Sequence, residues 1–197
     1  MNTISTNWII LAAVLVVASV AVAAWLASQK KKQSQRLQQR FGPEYDRAVA
    51  EFGGRSKAES ALLAREKRVE HLDIVPLAPA EAARFTQAWS ALQGRFVDDP
   101  KGVVVQADQL IRELMLKRGY PMGDFDLRAA DISVDHPAVV ENYRAAQAIA
   151  VRGERGEADT EELRKAVVHY RALFDELLAV AQVKQEVLPV TPIAVHS

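Results

Sequence analysis

Residues 8–27 read WIILAAVLVVASVAVAAWLA, twenty positions with no charged side chain and nothing more polar than Ser19. At about 1.5 Å of rise per residue, a helix of this length reaches about 30 Å, the thickness of a hydrocarbon core. Trp8 and Trp25 stand at its two ends, where indole rings favour the headgroup boundary, and Lys30, Lys31 and Lys32 follow at once. The preceding flank, residues 1–7, has neither Lys nor Arg. The positive-inside bias therefore predicts a single-pass anchor with its N-terminus outside and everything after Lys30 in the cytoplasm, so the lipid bilayer is the first expected partner. Two readings compete with an anchor. Ala21-Val22-Ala23 has the small-x-small form of a signal-peptide cleavage site, but the basic n-region of such a signal is missing. A buried core helix of a soluble domain is the other.

Charge is balanced overall but not along the chain. Lys+Arg and Asp+Glu are each 25, which removes any global charge argument for nucleic acid, and basic residues are not interleaved with aromatics as a nucleic-acid surface requires. Residues 28–72 carry 11 basic and 6 acidic side chains, whereas 73–197 carry 14 and 19. The sequence thus places a basic stalk next to lipid and an acidic region beyond it. The stalk KKKQSQRLQQR, five cations and no anion, suits an anionic leaflet, where each basic residue is worth about 1 kcal/mol, or serves topology signalling alone. With no cysteine, disulfides, thiolate metal sites and cysteine nucleophiles are excluded.

Beyond the stalk, Gly42-Pro43 punctuates the chain, and Pro43 suits the first turn of a short helix ending near Gly53-Gly54. Ser56 and Glu59 form a capping-box pattern opening a charged arm helix, with Ala58, Leu62, Val69 and Leu72 as its apolar seam. DIVPLA, at 73–78, is an extended connector. Pro79 starts a helix with the stripe Phe85, Trp89, Leu92 and Phe96, and Asp99-Pro100 starts a broader apolar helix that should be central. Pro137 and Asp159 open two more, the last with the seam Leu163, Val167, Tyr170, Phe174 and Leu177. Between Gly119 and Pro137 no periodicity emerges, and the segment reads as a connector in which Asp135 caps the helix that follows.

The expected fold class is therefore all-α. It comprises a short external N-terminus (1–7), one transmembrane helix (8–27), a basic stalk and short helix (28–55), a charged arm helix and extended connector (56–78), a four-helix soluble body (79–180) and a disordered tail (181–197).

Chemistry has one place to concentrate, the connector with Asp124, Asp126, Asp131, Asp135 and His136, since carboxylates and imidazole serve acid/base work or an oxygen-rich metal site. The calcium-loop spacing fails at Arg128, and helix capping accounts for aspartates in such a segment. His169 stands without a second histidine at i+3 or i+4, His71 ends the arm helix and His196 lies in the tail, which argues against a histidine metal site. Serine-nucleophile elbows, phosphate-cradling loops and dinucleotide fingerprints are absent. No catalytic, cofactor-binding or metal-ligating residue is assigned, and no cofactor is expected.

RFGPEYDRAV, LDIVPL, RFVDDP, RGYPMGDFDLRAADISVDHPAVVENYRAA and HYRALFDELL together resemble an uncharacterised family of bacterial membrane-anchored helical proteins, some described as secreted. The resemblance spans most of residues 40–178 and implies a bacterial cytoplasmic membrane, without supplying an activity. The leading expectation is a non-enzymatic, membrane-tethered module that binds another protein through Tyr120, Phe125, Asp126, Asp131 and His136. The alternatives are an enzyme, hydrolytic or metal-dependent, built on the segment from Asp124 to His136, and a self-associating protein that zips through the seam of the last helix.

Overall fold

The computed structural model describes the backbone over residues 3–186 and side chains over 14–179. Eight α-helices and no strand occur among the described residues. The chain divides into two compact units, Met1–Leu62 and Leu63–Ser197.

In the first unit, α1 (Thr3–Phe41) runs unbroken for 39 residues, because no Gly or Pro interrupts the apolar run or the Gln-, Lys- and Arg-rich stalk behind it. It is one helix long and apolar enough to cross a membrane, and its apolar side chains from Val14 to Leu26 are exposed. Gly42, at φ 50°, ends it in a backbone region that a side chain would strain, and Pro43 opens α2 (Pro43–Glu51). Leu37 and Phe41 of α1, Tyr45 and Ala48 of α2, and Ala58 and Leu62 of α3 (Arg55–Glu70) are all buried and form this unit's apolar interior. The Tyr45 hydroxyl ties these elements together: it donates to Glu59 Oε1 at 2.8 Å and shares a 3.2 Å hydrogen bond with Ser34 Oγ. That contact corrects the expected capping box. Glu59 is held by Tyr45, and α3 begins at Arg55, two residues ahead of a helix capped by Ser56, with the Ala58 N–H donating to Gly54 O.

α3 continues into the second unit, which adds α4 (Pro79–Gly94), α5 (Pro100–Lys117), α6 (Phe125–Asp135), α7 (Pro137–Glu154) and α8 (Thr160–Glu186). α8 packs against both α5 and α7, and α4 against α5. The expected stripes supply the interior: Phe85, Trp89 and Leu92 from α4, Val103, Ala107, Leu110, Ile111 and Leu114 from α5, and Leu163, Tyr170, Phe174 and Leu177 from α8 are buried in one cluster. Trp89 stacks on Phe174 with ring centroids 4.7 Å apart. The seam proposed to zip two copies is therefore occupied within one chain.

The body has five helices where the sequence showed four. The fifth, α6, occupies the segment read as an aperiodic connector, and the seven consecutive residues Arg128, Ala129, Ala130, Asp131, Ile132, Ser133 and Val134 are all buried. A helix enclosed on every side has no polar face, so the 3.6-residue alternation that reveals surface helices is lost. His136, not Asp135, takes the N-cap position of α7. The expected tail is helical at its start, since α8 runs to Glu186; residues 187–197 lie outside the described residues.

Candidate functional site

α5 ends at Lys117, and Gly119 just beyond it, with a φ of 93°, turns the chain sharply; a Cβ there would stand 2.3 Å from Asp73 O. The Val75 N–H donates to Arg118 O beside it at 2.9 Å, so the extended connector crosses the end of α5. This crossing turns Arg118 and Tyr120 inward, leaving them 3% and 1% exposed. Arg118 Nη1 donates to Leu177 O of α8 at 3.1 Å, and its guanidinium lies 5.8 Å from the Tyr120 ring centroid.

α6 brings Asp131 to the same interior. Its Oδ1 accepts from Arg68 Nε at 2.7 Å, with Arg68 Nη2 2.5 Å away, which pairs the last turn of α3 with α6. His136, 3% exposed at the α6–α7 junction, has Nδ1 3.1 Å from Glu176 Oε1 of α8. Burial pushes the Tyr120 hydroxyl up to about 12; Arg118 opposes that rise while Asp135 and Asp131 add to it. Burial also lowers the Arg118 guanidinium pKa, against the pull of Tyr120, Asp135 and Glu176. Tyr120 Oη, Asp131 Oδ2, His136 Nε2 and Arg118 Nε have no hydrogen-bond partner among the described residues.

A second polar chain links α5, α6, α7 and α8. The Tyr170 hydroxyl lies 3.1 Å from Asp108 Oδ1 and 3.2 Å from Gln147 Oε1, Arg112 Nε is 3.1 Å from Asp108, and Arg128 donates from Nε to the Tyr143 hydroxyl at 3.2 Å. Burial raises the pKa of both Tyr143 and Tyr170, and the Asp108 carboxylate adds to the rise at each. Sequence reading recovers Tyr170 as an interior position of an amphipathic helix, but periodicity carries no sign of where a hydroxyl ends up. His169, read as a lone histidine, has Nδ1 2.8 Å from Asn142 Oδ1.

The five residues expected to form a docking surface are divided by this geometry. Tyr120, Asp131 and His136 are interior, Phe125 is half-buried against the Tyr143 ring at 4.8 Å, and Asp126 is exposed, 3.9 Å from Arg144. Asp124 caps α6 by accepting from the Leu127 N–H at 2.8 Å. An imidazole beside a carboxylate, as in His136–Glu176, is the oriented base of many catalytic sites, but the nearby Ser133 hydroxyl donates to Ala130 O. Among the described residues no group of three metal-ligating side chains is set to hold an ion. Trp25, Lys30, Lys31 and Lys32 of the expected anchor are exposed on α1, and the Trp8 side chain lies outside those described. No protein-family model, curated protein or solved structure matches this chain.

Proposed function

We propose that the chain is a single-pass, membrane-tethered helical module that binds another protein at the inner face of a bacterial cytoplasmic membrane. One observation carries the reading: α1 passes without a break from an exposed apolar stretch into a packed unit, with Leu37 and Phe41 fully buried. A helix exposed on its apolar side needs a lipid or protein environment. The lysine triplet after it and the uncharged flank before it favour a cytoplasmic location for the remainder. Tethering then raises the effective concentration of the body for any partner at the same surface.

The surface that supports a docking role is the outward rim of the α5–α6 connector. Leu116, Met122 and Val75 are 57%, 40% and 48% exposed, and Asp126 in the first turn of α6 is exposed as well. Crosslinking from position 122 in intact membranes tests the reading. A discrete adduct lost in Leu116→Glu supports it, and the absence of any adduct from every rim position refutes it.

A further inference from the structure

Residues 28–62 contain eight basic and four acidic side chains, and the fold makes this excess larger at the surface than in the composition. Glu44 is 1% exposed, and Glu59 accepts the Tyr45 hydroxyl, which leaves Asp46 and Glu51 as the outward-facing acids. All eight cations are exposed; Arg36 and Arg40 each have an interaction within the protein and Arg47 lies 4.0 Å from Glu44, and the others are Lys30, Lys31, Lys32, Arg55 and Lys57.

The Tyr45 bridge fixes how far these last two cations stand from the apolar run. Tyr45 Oη lies 3.2 Å from Ser34 Oγ and 2.8 Å from Glu59 Oε1, so the first turns of α3 are held beside Ser34. Ser34 is seven residues past Ala27, about 10 Å along a helix. Arg55 and Lys57 are within about one turn of Glu59. A headgroup layer extends about 5–8 Å beyond the hydrocarbon, and the field of an anionic leaflet reaches about 8 Å further at physiological salt.

We infer that α3 contributes Arg55 and Lys57 to a basic platform shared with Lys30, Lys31 and Lys32, and that this platform binds the phosphate groups of anionic phospholipids. The inference rests on the membrane reading of α1. It makes the first unit a surface-bound element, with Tyr45 acting as a positioning residue that presents α3 to the headgroups. The exposed ring of Phe52, in the turn before Arg55, adds an apolar side chain that can enter the boundary between headgroups and acyl chains.

The chain has no cysteine, so single Ser→Cys variants can each carry one nitroxide. Ser56 lies between Arg55 and Lys57, Ser19 lies in the apolar run, and Ser90 of α4 serves as an exposed control. Full-length protein is reconstituted in phosphatidylcholine vesicles with or without phosphatidylglycerol, and collision of the label with a water-soluble nickel chelate is measured.

The expected result is a drop of about twofold or more at position 56 in anionic vesicles. The drop is reversed by about 1 M salt and by Arg55→Gln/Lys57→Gln. Equal nickel access at 56 in both lipids, with position 19 inaccessible, overturns the platform and leaves the anchor standing. Nickel access at position 19 overturns both.

Discussion

Breaking the Arg68–Asp131 pair from its two sides should cost different amounts, because the partners differ in their access to water. The Asp131 side chain is 1% exposed and the Arg68 side chain 37%. In Asp131→Ala the guanidinium turns to solvent, and the loss is a charge-assisted hydrogen bond plus a small void, about 1–2 kcal/mol. In Arg68→Ala the carboxylate is stranded inside. Leaving a buried charge without its partner costs about 3–5 kcal/mol. The double variant strands nothing and should return close to Asp131→Ala. Urea unfolding of the full chain in detergent micelles, followed by tryptophan fluorescence in all three variants, measures this. Asp131→Ala costing as much as Arg68→Ala, or a double variant no better than Arg68→Ala, would refute the account.

Four further outcomes are expected. Trp89→Ala removes a ring that is 4% exposed and stacked on Phe174, and should lose about 3–5 kcal/mol in urea unfolding followed by far-ultraviolet circular dichroism. Gly119→Ala should cost about 2 kcal/mol or more, since it combines positive φ with a Cβ only 2.3 Å from Asp73 O; a loss below 1 kcal/mol would show that the connector can move aside. Asp159→Ala deletes a reciprocal cap in which Asp159 Oδ1 accepts the Glu162 N–H at 2.7 Å and Glu162 Oε2 accepts the Asp159 N–H at 3.0 Å, and thermal melts should show a loss of about 1 kcal/mol. Tyr45, Tyr120, Tyr143 and Tyr170 all have raised pKa values, so tyrosinate absorbance of the folded chain should stay low past pH 10. Because the unfolded state ionises first, stability should fall as pH rises from about 10 toward 12, and ordinary titration near pH 10 would contradict the burial.

Elements with one wet face were legible in the sequence because their environment writes a period into the residues. The stripe Phe85, Trp89 and Leu92, the Asp99 cap accepting from the Gly102 N–H, and the Asp159–Glu162 box all appear in the fold as read. α6 was not legible for the opposite reason: burial from Arg128 through Val134 leaves no polar side to alternate. The same enclosure changed the candidate site. Tyr120, Asp131 and His136 lie in a polar segment that reads as exposed, yet Asp131 and His136 meet Arg68 and Glu176, from distant parts of the chain, inside the fold, and Tyr120 is buried beside Arg118.

What the sequence determined by itself is the apolar run at 8–27, its lysine flank and the all-helical class, since length, charge and periodicity are local properties that each segment carries alone. Only the tertiary structure decided which charges face outward. Glu44 and Glu59 are turned to internal partners while Arg55 and Lys57 stay exposed, and Asp131 is buried against Arg68. Such pairings join positions as far apart as 63 residues, and their geometry depends on helices that the pairing residues do not specify.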